Sequence, residues 1–164
     1  HDLGFYNRTN YDYVRVLVPE GSTLLDISGH SLVKFSPIAD YDNGEFMIDA
    51  DLAKYEKGAN QIRPGVKEWR EAGKTVFGFW LNVEPGKTEK VVLKYQTPVQ
   101  IKNGDYSLLV QKQPGTLEDF FSFSLELPKG KQIIYKNQDL VLSGGSAAFQ
   151  TKLLTDTELQ IKFQ

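Results

Sequence analysis

The stretch "TVFGFWLNVEPGKTEKVVLKYQTP" (residues 75–98) decides the reading of this chain. Phe77, Phe79, Leu81 and Val83 fall at every second position, and so do Val91, Leu93 and Tyr95 beyond Pro85-Gly86. Period two is the mark of a strand with one buried face. All seven residues are therefore expected to face one core. Two arrangements satisfy the pattern. A hairpin closed at Pro85-Gly86-Lys87 would set Leu81 opposite Val91, Phe79 opposite Leu93 and Phe77 opposite Tyr95. A sandwich corner would send the two strands to different sheets and keep the same inward set. Trp80 falls on the opposite face, either covered by another segment or exposed.

Working outward, the same signal recurs. Short β-rich runs lie at 13–18, 23–28, 31–35, 106–113, 120–127, 132–135, 147–154 and 158–163. Proline presets φ at the first corner of a turn, and glycine supplies the positive φ that follows. Pro19-Glu20-Gly21, Pro64-Gly65, Pro85-Gly86, Pro114-Gly115 and Pro128-Lys129-Gly130 punctuate the runs, and Asn43-Gly44 and Asn103-Gly104 add two-residue hairpin signals. Short strands between such turns predict an all-β fold, an antiparallel β-sandwich of immunoglobulin-like character. Residues 49–74 lose the alternation and mix six basic with five acidic residues, so they read as an irregular insertion loop, with a short helix over Val66–Ala72.

The order of motifs repeats. "VRVLVPEGSTLL" (14–25) echoes "FSLELPKGKQII" (123–134), and "TEKVVLKY" (88–95) echoes "TELQIKF" (157–163). A duplication explains this, with quasi-repeated halves over about 12–98 and 104–164. The alternative is that any two antiparallel segments joined by Pro-Gly turns look alike. One packed domain spanning 1–164 is the expected organisation.

Composition narrows the function. The 164 residues carry 19 Lys plus Arg against 21 Asp plus Glu, for a net charge of −2. With no basic stripe, nucleic-acid binding lacks electrostatic support. The absence of cysteine removes thiolate chemistry and disulfides. No apolar run approaches the roughly 20 residues that span a bilayer. A chain of this length buries about 70% of its unfolded surface and needs no staple. No cofactor is expected. His30 sits in "DISGHSLVKF" with Asp26 and Ser28, but a Ser-His-Asp site needs partners from separate elements, so it reads as a turn histidine. The acidic stretch 39–51 fails the EF-hand register: with Gly44 at loop position six, Ala39 would be position one and Ala50 position twelve. Trp69, Tyr55, Trp80 and Tyr41 form a candidate stacking set. The partner contact is placed on the 49–74 loop, at Trp69 with Tyr55 and Trp80, because loops on rigid sandwiches carry recognition.

The stretches "YDYVRVLVPEGSTLLDISG" (11–29), "GKTVFGFWLNVEPGKTEKVVLKYQTP" (73–98) and "YSLLVQKQPGT" (106–116) resemble the C-terminal β-rich region of bacterial proteins carrying the domain of unknown function DUF4012. The resemblance implies a membrane-anchored bacterial protein with this region outside the cell. It lends no catalytic residue. The chain opens at His1-Asp2 without an initiator methionine, which fits a processed or excised chain whose anchor lies outside it. The expected function is a non-catalytic extracellular module, a spacer or an adhesion and interaction domain facing a cell-surface protein or glycan. A carbohydrate-binding module using exposed aromatics is the alternative, and a glycan- or peptide-processing enzyme ranks third.

Overall fold

The computed structural model describes residues 8–33, 47, 49–101, 103–115, 119–143 and 145–164. The chain is all-β with antiparallel pairing, and it divides into two compact units, His1–Val99 and Gln100–Gln164.

Unit 1 holds β1 (Asn10–Pro19), β2 (Thr23–Ser28), a helix α1 (Ala50–Lys57), β3 (Asn60–Arg63), β4 (Val66–Glu71), β5 (Lys74–Val83) and β6 (Val92–Gln96). One sheet runs β1-β5-β4-β3 and the second is β2-β6. The core between them takes Val18 from β1, Leu24 and Ile27 from β2, Val66 from β4, and Phe77 and Phe79 from β5; Val14, Val16, Val91 and Leu93 pack against it. The 75–98 stretch thus makes the sandwich corner and not the hairpin. β5 pairs with β1 and β4, β6 pairs with β2, and the Phe77 and Tyr95 rings meet across the core at 6.3 Å. Leu93 and Val91 are half-buried, while Tyr95 stays 43% exposed at the end of β6.

Residues 49–74 are not an irregular loop, and Val66–Ala72 is not a helix. The helix lies earlier, at Ala50–Lys57, and Asp49 caps it: its carbonyl accepts from Ala53 N at 2.9 Å and its Oδ1 from Asp51 N at 2.9 Å. β3 and β4 turn at Pro64-Gly65, and β4 pairs with β5 from Val66↔Phe79 to Glu71↔Lys74. Between those strands Ala72 and Gly73 both take positive φ, 49° and 68°. That geometry matches the twist of a tight hairpin.

Unit 2 holds β7 (Asp105–Val110), β8 (Asp119–Glu126), β9 (Ile133–Lys136), β10 (Val141–Ser143), β11 (Ser146–Leu153) and β12 (Thr157–Phe163). Its sheets run β10-β11-β8 and β7-β12-β9, around Leu140, Ala147 and Ile161 with Tyr106, Phe123, Leu125, Ile133 and Phe149. Asn103-Gly104 turns with positive φ at both residues, but it leads into β7 and joins no paired strands; Gly104 O accepts from Phe163 N at 3.0 Å.

The repeated order of motifs is carried into the pairing. β1 pairs with β5 and β5 with β4; in their places β8 pairs with β11 and β11 with β10. β2 pairs with β6, as β9 with β12. The Pro-x-Gly turns close alike, Ser22 N on Pro19 O at 3.1 Å and Lys131 N on Pro128 O at 3.0 Å. Even the irregularity recurs. Leu24 faces Tyr95 and Asp26 faces Lys94, which leaves Leu25 as an extra residue; Ile133 faces Phe163 and Tyr135 faces Lys162, which leaves Ile134. Pro-Gly turns alike by chance require neither a shared strand order nor a shared bulge.

Candidate functional site

The strand period that buries Phe77 and Phe79 sends Val76, Gly78, Trp80 and Asn82 to the outer face of the four-stranded sheet. Register sets Tyr11 beside Asn82, Tyr13 beside Trp80, Arg15 beside Gly78 and Leu17 beside Val76, with Trp69 of β4 on the far side of Val76. The result is an aromatic face. Tyr13 and Trp80 meet edge-to-face at 5.1 Å and 61°, the arrangement that aromatic quadrupoles favour. Tyr11, Tyr13 and Leu17 are exposed and Trp80 is half-buried.

Trp69 lies across the middle of this face and is 8% exposed. A Cβ added to Gly78 would meet Tyr13 Oη at 2.4 Å and the Trp69 ring at 2.5 and 2.6 Å, so the missing side chain of Gly78 is the seat in which the two rings settle. Trp69 Nε1–H donates to Glu71 Oε2 at 3.0 Å, and Arg15 Nη1 donates to both Glu71 oxygens at 3.2 and 3.1 Å. Glu71 is thereby held in place by two side chains from the face. Asn82 Oδ1 is buried with no hydrogen-bond partner.

Gly78→Ala should destabilise unit 1 by about 1–3 kcal/mol by overpacking. It should also shift the tryptophan fluorescence, because Trp69 must move. Urea titration with fluorescence detection checks both; unchanged stability and spectrum would mean that the rings do not rest on Gly78.

The residues proposed from sequence meet in part. Trp69 and Trp80 lie on one face, on neighbouring strands. Trp69 was placed on a loop but stands on β4, and it is a buried organiser of the face and not an exposed contact. Tyr55 lies on α1, and its side chain, like Tyr41, falls outside the described residues. Sequence reasoning missed Tyr13 and Tyr11. Their alternation with Val14 and Val16 in "YDYVRV" carried the signal, since it puts tyrosines on the face opposite the valines.

His30 is structural: Nε2 lies 2.9 Å from Pro64 O and the ring meets Phe79 edge-on at 6.2 Å, tying the end of β2 to the β3–β4 turn. In the acidic stretch, Asp40, Asp42 and Glu45 fall outside the described residues. Two depressions in unit 2, at the Pro128–Lys131 turn and along β7 and β12, are open to solvent. No protein-family model, no curated protein and no solved structure matches the chain.

Proposed function

We propose that this chain is a non-catalytic extracellular module of a bacterial surface protein, and that it binds saccharide rings on the outer face of the β1-β5-β4-β3 sheet. The observation that carries the reading is the Tyr11, Tyr13 and Trp80 row, partly exposed on one sheet face and braced from beneath by Trp69 and Gly78. Aromatic rings present a large apolar surface with a polar tip, and held rigidly they pay little conformational entropy on contact. An exposed row of this kind favours a binder over a bare spacer. The immunoglobulin-like reading draws support from connectivity. In each unit the strand order β1-β5-β4 or β8-β11-β10, with β2-β6 or β9-β12 opposite, follows the B-E-D and C-F order of that fold. The extracellular bacterial setting rests on the DUF4012 resemblance.

A glycan array followed by titration of the best ligand tests this. Tryptophan fluorescence should change on binding, and Tyr13→Ala and Trp80→Ala should each weaken affinity at least about tenfold, near 1.4 kcal/mol. An array without hits, or affinity untouched by both substitutions, overturns the assignment of this face.

A further inference from the structure

The shared strand order exposes a difference between the units. In unit 2 the second sheet has three strands, and β7 lies along the edge of β12 that β9 leaves open. In unit 1 the equivalent sheet has two, and among the described residues no strand pairs with the matching edge of β6.

The shared register makes the comparison residue by residue. Phe163, Ile161 and Leu159 of β12 stand where Tyr95, Leu93 and Val91 stand in unit 1. Those three are 8%, 2% and 0% exposed, whereas Tyr95 is 43% exposed and Leu93 and Val91 are only half-buried. β7 accounts for much of the difference: Tyr106 faces Ile161, Leu108 faces Leu159, and Tyr106 reaches Phe123 at 5.9 Å in the core. Its inward residues Tyr106, Leu108 and Val110 alternate with outward Asp105, Ser107 and Leu109.

We infer that the edge of β6 left unpaired among the described residues is an acceptor slot for an extended segment of a partner polypeptide, added antiparallel to β6 as β7 is added to β12. Strand addition takes its affinity from main-chain hydrogen bonds and its specificity from alternate side chains. The segment must present apolar residues opposite Leu93 and Val91. An acidic residue suits the place opposite Lys94, since Lys94 occupies the position of Lys162, which pairs with Asp105 of β7 at 3.3 Å; on its other side Lys94 faces Asp26 of β2. The same charge argues against a second copy of this chain as occupant. Residues 87–96 carry three lysines and one glutamate, so two such margins brought together repel. An unfilled edge of this kind is a pairing template that folded proteins otherwise cover.

The probe is a labelled peptide of residues 104–112, GDYSLLVQK, the strand that fills the equivalent slot. Fluorescence anisotropy with the intact chain should give saturable binding, and hydrogen exchange should show new protection at Val92–Gln96. A peptide carrying Tyr106→Asp and Leu108→Asp should bind at least about tenfold more weakly. Four results overturn the inference: no saturation up to about 1 mM peptide; new protection confined to Thr157–Phe163, meaning that the peptide displaces β7; protection, in the monomeric chain alone, of the alternate β6 amides that point away from β2, meaning that the chain covers its own edge; or dimerisation that protects those amides, meaning that a second copy does. The glycan assay reads the outer face of the other sheet, so failure of either leaves the other standing.

Discussion

Deleting residues 52–72 and bridging the gap with a short Gly-Ser linker should abolish cooperative folding of unit 1. The segment reads from sequence as dispensable loop, and on that reading the shortened chain would still fold. The structure reverses the expectation. The deletion removes β3 and β4 whole. It strips Val66, fully buried, from the core and Trp69 from its seat over Gly78. It unpairs β5 along Val66↔Phe79 to Glu71↔Lys74, leaving the run Thr75–Phe79, buried at every position, as an open sheet edge. It also cuts side-chain ties to the rest of the unit: the His30–Pro64 contact, the hydrogen bond that Arg63 Nη2 donates to Leu25 O, and the Arg15–Glu71 and Arg70–Glu20 ion pairs. Hydrogen exchange on the deleted chain should find β1 and β5 unprotected. Protection retained across Asn10–Pro19 and Lys74–Val83 would mean that the β3–β4 hairpin is an accessory after all.

The failure of sequence reasoning at this segment has a physical cause. Period two is visible only where one face of a strand is buried along its whole length. β4 is buried once on each face: Val66 enters the sandwich core and Trp69 the outer aromatic layer. Two buried residues three apart imitate a helical spacing, and Pro64 and Gly73 at the ends look like helix boundaries. The turn at Ala72-Gly73 lacks the asparagine or aspartate that usually announces a two-residue hairpin. β5, β8, β11 and β12 were legible because each keeps one face inward throughout, and β1 because Val14, Val16 and Val18 do. The same alternation put Trp80 on the outer face, but it does not say what lies beside it. The Tyr13–Trp80 pair depends on the β1–β5 register, a long-range property fixed by packing of both strands at once. The shared order of strands was legible in the order of motifs; that β6 pairs on one edge only among the described residues was not, because pairing partners are set by packing and not by local pattern.

Phe79→Ala should destabilise unit 1 by about 3–5 kcal/mol, the range for truncating a buried aromatic ring. The upper part of that range is expected for geometric reasons. Phe79 is 1% exposed and sits mid-strand, with Val14 of β1 on one side and Val66 of β4 on the other. Both neighbours are held by sheet pairing, and Ile27 and Leu93 close the core from the opposite sheet. Walls anchored by backbone hydrogen bonds collapse poorly, so most of the cavity should persist, and cost grows with residual cavity volume. Phe149 takes the place of Phe79 in unit 2, where the ring is only half-buried, so Phe149→Ala should cost less. Urea titrations of the two variants against the parent chain, with hydrogen exchange to locate the loss, separate these effects. A cost below about 1 kcal/mol for Phe79→Ala would remove it from the core. A larger cost for Phe149→Ala than for Phe79→Ala would count against treating the two sandwiches as copies that bury equivalent residues to different depths. The contrast matters for the proposed strand slot as well. Unit 1 is the copy with the deeper phenylalanines on β5 and the shallower residues on β6, so its stability is concentrated on the four-stranded sheet. The two-stranded sheet, where Val91, Leu93 and Tyr95 are incompletely covered, is left as the side on which an added strand has apolar surface still to bury.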